Sequence, residues 1–168
     1  NHIGLLNRIT IIFTRRQVNI ESLTVSGSAI PGIRKFTIVV NDTPEKVEKV
    51  VAQIEKLVGV LRAFSHSEEE VIHQEIALYK VPTKALLKGN KVEETIRSHN
   101  ARILEVRPEY TVIELTGHKE ETQALFDELN NYGLLQFTRS GRIAITKSSK
   151  ELFTSYLEEA GEKTIEFE

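Results

Sequence analysis

The chain contains no cysteine. That absence removes disulfides, thiolate nucleophiles and cysteine-ligated zinc from consideration, and it fits a cytosolic protein. No apolar run reaches the roughly 18 to 20 residues of a membrane span, and no signal peptide is recognisable, so a cytoplasmic setting is the expectation. Charge of one sign is also missing: 22 basic against 24 acidic residues leave a net charge of −2. Nothing in that balance attracts nucleic acid. What is present, 168 residues of which 40% are hydrophobic and 27% charged, is enough to bury a core and to form one domain or two small ones.

The apolar residues change period along the chain. Leu5, Leu6, Ile9, Ile12 and Phe13 recur at helical spacing, predicting an amphipathic helix over Leu5 to Arg16. "NIESLTVS" (Asn19 to Ser26) reads as a strand with Glu21, Leu23 and Val25 on one face and Ile20, Ser22 and Thr24 on the other. Pro31 and Gly32 mark a turn, and Phe36, Ile38 and Val40 alternate in a second strand over Arg34 to Val40, making a hairpin. Thr43 and Pro44 then announce a helix whose apolar residues run Val47, Val50, Val51, Ile54, Leu57, Val58. "VLRAF" (Val60 to Phe64) reads as a short strand, and "SHSEEE" (Ser65 to Glu70) as a polar break.

Helix, strand, strand, helix, strand is the ferredoxin-like βαββαβ order without its leading strand. That strand lies inside the sheet, where its absence leaves backbone groups unpaired, so the natural protein is expected to carry residues before Asn1. After the break the order recurs complete. Ile72 to Val81 is a strand, Asn90 to Asn100 a helix, and Arg102 to Arg107 with Tyr110 to Gly117 a hairpin. Lys119 to Gly133 is a helix closed by glycine, and Leu134 to Gly141 a strand. The expected fold is therefore α+β, with two ferredoxin-like units over 1–67 and 72–147. An extension from Ser148 to Glu168 carries one more amphipathic helix and a polar tail.

No catalytic constellation emerges. His2, His66, His73, His99 and His118 have no paired ligand spacing and read as surface or strand histidines. "LLKGNK" around Gly89 lacks the second glycine and the Lys-Ser/Thr ending of a P-loop, and Gly27, Gly32 and Gly59 form no dinucleotide fingerprint. "SEEE" reads as a solvated linker, and Arg15 and Arg16 as residues favouring the negative end of a helix dipole.

What stands out is the opening stretch. A glycine in the first turn of a helix is costly unless something needs the space, and without a Cβ, Gly4 lets a ligand reach the free N–H groups of Leu5 and Leu6. A carboxylate there also gains from the helix dipole. Asn1 and Asn19 each offer a donor and an acceptor without charge, which suits both ends of an amino-acid zwitterion, with an apolar side chain packed on Ile3, Leu6 or Ile20. A plainer reading makes Asn1 a helix cap and Asn19 a turn residue tolerant of left-handed backbone, and from the residues alone both stand.

"NHIGLLNRITIIFTRRQVNIESLTV", with "PGIRKFTIVV" and "LVGVLRAF", resembles the ACT domain of the acetolactate synthase (acetohydroxyacid synthase) small regulatory subunits. The shared pattern is N-x-x-G-x-L-x-R followed by F-x-R-R-x-x-N-I-E-S-L-T-V. The likeness continues through "EIALYKV" and "ITKS" to about Lys147, leaving the extension beyond the family pattern. The resemblance implies a dimeric sensor of valine in branched-chain amino acid biosynthesis, with no active site, metal or cofactor of its own. It implies a regulator that activates a separate catalytic large subunit, which carries thiamine diphosphate, magnesium and FAD, and makes that subunit feedback-inhibitable. The effector residues so implied are Asn1, Gly4, Leu5 and Leu6 of one chain with Asn19 and Ile20 of the facing chain. The rival expectation is a stand-alone amino-acid-responsive module serving another enzyme or transcription, since the fold serves many hosts. The slightly acidic charge and the lack of a helix-turn-helix disfavour its DNA-binding form.

Overall fold

A computed structural model describes residues 3–28, 30–87 and 91–149. The chain divides into two compact units, residues 1–72 with 144–168, and residues 73–143. The fold is α+β and built on antiparallel sheets.

The first unit begins with α1 (Leu5–Arg15), followed by β1 (Ile20–Gly27), β2 (Arg34–Val40) and α2 (Pro44–Ile54). β1 and β2 form the expected antiparallel hairpin, whose turn contains Gly32 at φ +82°, a conformation open to glycine after Pro31. Leu5, Ile9, Ile12 and Phe13 line the inner face of α1 and meet Val50 and Ile54 of α2. Ile20, Phe36, Ile38 and Val40 of the hairpin pack against this cluster, so two helices cover one face of the sheet.

Three expectations for this unit are corrected. The strand face is not a simple alternation: the register shifts between Ile20 and Ser22, so that Ile20 opposes Val40 while Leu23 opposes Ile38 and Val25 opposes Phe36. A bulge at Glu21 thus moves Ile20 from the face of Ser22 and Thr24 to that of Leu23 and Val25. α2 stops at Ile54 rather than running to Val58, because the chain tightens into i→i+3 turns (Leu57 N–H to Ile54 O, 3.0 Å) that bring Leu57 against the core and leave Val58 exposed. Val60 to Phe64 forms no strand. In βαββαβ order the closing strand pairs with the one preceding the first helix, and the described residues start at Ile3, so no ladder partner is among them. The polar break is not featureless either. Glu68–Glu70 is a 3₁₀ turn in which the Glu70 carboxylate accepts from the Ser67 N–H at 2.8 Å, and that bond holds the Glu70 carboxyl below its usual range.

The second unit has the full order: β3 (Val71–Pro82), α3 (Thr83–Leu87), α4 (Lys91–Ser98), β4 (Arg102–Val106), β5 (Tyr110–Gly117), α5 (Lys119–Asn130) and β6 (Gln136–Arg139). Its strand order, β4-β5-β3-β6, is that of a ferredoxin-like sheet. Alternate residues of β3 face inward, and Ala77, Tyr79 and Val81 join Ile113 and Leu115 of β5, Val92 and Ile96 of α4, and Leu125 and Leu129 of α5. Glu75, on the same buried row, faces Arg139 Nε at 3.8 Å and Arg142 Nε at 3.6 Å, cations that offset the burial of its charge. The short α3 and a strand β7 (Ile143–Thr146), which pairs with β3, were not legible in the pattern. α5 ends at Asn130, three residues before Gly133. The amphipathic helix expected after Ser148 lies, from residue 150 onward, outside the described residues.

Candidate functional site

α1 opens without a side-chain cap. Gly4 is its N-cap, left-handed at φ +80°, and the Gly4 carbonyl accepts the first helical hydrogen bond from the Arg8 N–H at 3.1 Å. Gly4 thus stands at the N-cap and not in the first helical turn, and the backbone itself asks for glycine there, since L side chains rarely adopt that φ. Space is also there: a Cβ on Gly4 meets nothing within 4 Å. The first-turn N–H groups of Leu5, Leu6 and Asn7 have no carbonyl within the helix to bond, and the turn carries no acidic residue. No acidic side chain of the helix's own first turn therefore opposes the positive end of the dipole.

Leu5 and Leu6 part company here. Leu5 is 9% exposed and packs into the core, whereas Leu6 is 42% exposed and Ile3 fully so. Leu5 can offer a ligand only its backbone; Leu6 and Ile3 can offer apolar surface. Arg8 ties this end of α1 to the turn after α2, its guanidinium donating to the Val58 carbonyl at 2.9 Å.

The other end of α1 closes in a Schellman motif. The Val18 N–H donates to Phe13 O at 3.0 Å and the Gln17 N–H to Thr14 O at 3.1 Å, while Gln17 takes the left-handed conformation at φ +55°. Phe13 and Val18 are both buried in the cluster beneath. The left-handed turn position is thus Gln17, not Asn19, which removes the backbone reason for an asparagine at 19. Asn19 is exposed, and Ile20 is half-buried at the bulge. Nothing in the residue type marked Gln17 beforehand, because glutamine has no preference for this conformation.

Gly4 and Asn19 lie at opposite ends of α1. Eleven helical residues at about 1.5 Å each put them roughly 16 Å apart, beyond the span of one small amino acid. A single chain therefore does not bring both to one zwitterion. Asn1 lies outside the described residues.

Among the described residues no three His, Asp or Glu side chains group as a metal site, and no helix is long and apolar enough to cross a membrane. His73 is buried on β3 with its ring edge-on to His118, the N-cap of α5, at 4.5 Å between centroids. His99 Nε2 bonds Glu128 Oε1 at 3.0 Å and keeps that carboxyl below its usual range. These are packing and capping roles. α4, the counterpart of α1 in the second unit, carries Glu93 and Glu94 in its first turn, where they repel an incoming carboxylate.

Comparison with known proteins gives the same reading for both units. A family described as "AHAS small subunit-like ACT domain" matches residues 1–62, and one described as "Small subunit of acetolactate synthase" matches residues 74–148. The acetolactate synthase small subunit of Bacillus subtilis is 31% identical over 156 residues, covering 92% of this chain and 90% of the relative. That of Mycolicibacterium smegmatis is 30% identical over 147 residues, 88% of this chain and 86% of the relative. The crystal structure of the acetolactate synthase small subunit from Thermotoga maritima superposes with a TM-score of 0.79 at 26% identity, covering 89% of this chain and 93% of that one. By fold and by sequence along nearly its whole length, this chain belongs to the family of acetolactate synthase small subunits.

Proposed function

We propose that the chain is the regulatory subunit of an acetolactate synthase, activating a catalytic large subunit and conferring feedback inhibition by valine in the cytoplasm. Thiamine diphosphate, magnesium and FAD then belong to the large subunit. The effector is held by backbone N–H groups at the Gly4 end of α1, with Leu6 beside its side chain, and by the Asn19 amide near Ile20.

The observation that carries this reading is the separation of Gly4 from Asn19 along α1. Each end offers half of what a zwitterion needs: first-turn N–H donors for the carboxylate at one, an uncharged donor and acceptor for the ammonium at the other. Two copies related by a two-fold axis bring the Gly4 end of one chain to the Asn19 end of its partner twice, making two equivalent sites. The hairpin supports such pairing only at Val25, which remains exposed although Phe36 and Ile38 on the same face are covered by the helices. The sensing domain then spans 1–67, where both half-sites lie, and 72–147, whose helix α4 opens with Glu93 and Glu94, transmits the liganded state.

The test combines the chain with the thiamine-dependent large subunit. Activation of the synthase by the chain, reversed by valine, is the expected result. Valine binding by the chain without association with that subunit supports a stand-alone sensor instead, and a chain that neither binds valine nor changes the synthase overturns the proposal.

A further inference from the structure

We infer that Gln17 is a positioning residue for the effector, acting through Asn19; the inference rests on the effector reading above. Gln17 holds a left-handed φ of +55° that an L side chain adopts at a cost and glycine adopts freely. Such conformations persist where the surroundings impose them, and here they do. The Gln17 and Val18 N–H groups are spent on Thr14 and Phe13 carbonyls, and Val18 is locked in the core under the turn. Three residues after Gln17 the chain enters β1 at Ile20, and the bulge at Glu21 follows at once. Asn19 and Ile20 are thus bracketed by two backbone irregularities, one on each side. Bulges beside binding sites re-aim side chains, and a left-handed residue reverses chain direction within one step. Together they decide where the Asn19 amide points while Ile20 turns to the core face.

The second unit contains a built-in control. α4 closes with the same bonds (Ala101 N–H to Ile96 O, 2.9 Å; Asn100 N–H to Arg97 O, 3.1 Å), and Asn100 takes φ +53°. It is the same turn with no effector residue after it.

The experiment is calorimetry of the full chain with valine, with thermal melting of each variant. Gln17→Asn and Gln17→Gly accept the left-handed turn and keep valine affinity within about twofold of the unmodified chain. Gln17→Val, whose branched Cβ disfavours the conformation, weakens valine binding by about tenfold or more, the scale of one lost polar contact. Asn100→Val lowers the melting temperature comparably and leaves valine affinity unchanged. Should Gln17→Val not fold, Gln17→Thr takes its place, a polar side chain whose branched Cβ carries the same penalty, with a loss in the same direction. Equal effects of the Gln17 and Asn100 substitutions on valine affinity, or no effect from either, overturn the inference. Failure of the unmodified chain to bind valine overturns the effector reading and this inference with it, so the two failures are distinguishable.

Discussion

The Tyr79 hydroxyl donates a 2.6 Å hydrogen bond to the Thr122 carbonyl, tying the middle of β3 to the first turn of α5 from inside the core of the second unit. Tyr79 is fully buried, and that burial pushes its pKa from 10.0 up to about 12. The folded state therefore holds the phenolic proton more tightly than the unfolded chain. The associated stability is complete below about pH 10 and is lost as pH rises towards about 12. Tyr79→Phe is expected to cost about 1 kcal/mol at neutral pH and to flatten the alkaline fall in stability between those values. Urea unfolding at pH 7 and across pH 9 to 12 measures both; an unchanged alkaline limb contradicts the assignment.

The His99–Glu128 pair sets the opposite limb. Glu128 is held below its usual range chiefly by the His99 hydrogen bond, so its contribution is present above the unfolded carboxylate pKa of 4.5 and is lost as pH falls through the lowered value. Because Glu128 is half-exposed, Glu128→Gln costs no more than about 0.5 kcal/mol at pH 7 and makes acid unfolding below about pH 4.5 shallower. Circular dichroism over pH 2 to 7 reads this.

Charge and shape at Gly4 separate cleanly. Asparagine and aspartate are nearly the same size, and both visit the left-handed region more often than other side chains. Gly4→Asn keeps α1 capped and retains measurable valine binding. Gly4→Asp adds a carboxylate beside that of the effector and abolishes binding and feedback while activation remains. Unchanged valine affinity in Gly4→Asp removes this helix end from the site.

Asn19→Ala is expected to weaken valine binding by about 1 to 3 kcal/mol, because it leaves one polar group of the zwitterion unpaired. A change below a few tenths assigns Asn19 to the turn alone.

Stoichiometry and mass complete the set. With Glu93 and Glu94 guarding α4, calorimetry should give one valine per chain rather than two, and light scattering at micromolar concentration should give a dimer or larger. A monomer that binds valine at full affinity contradicts the shared site.

Much of the fold could be read before the structure because the signals were local. Thr43 and Pro44 start α2, Pro31 and Gly32 turn the hairpin, and alternate residues of β3 face inward, each through chemistry contained within a few residues. What escaped depends on partners. Val60 to Phe64 has strand residues but no ladder partner among the described residues, β7 is four residues long and is defined by pairing with β3, and the bulge at Glu21 exists only relative to β2. The site divides in the same way. Gly4 advertised itself by residue type, whereas the left-handed Gln17 is imposed by a core that closes beneath it. The distance from Gly4 to Asn19 needed only the helix length, which the pattern already contained.

The surplus residue at Glu21 makes chain length in this stretch behave as parity rather than distance. Removing Glu21 itself restores strict alternation and leaves Ile20 opposite Val40, on the face of Leu23 and Val25, whereas removing Ile20 instead sets Glu21 in that inward position. A conservative exchange of side chains here is absorbed locally, while a single-codon deletion is absorbed only where it takes out the surplus residue. Tolerance in this segment is therefore graded for substitution and position-specific for length.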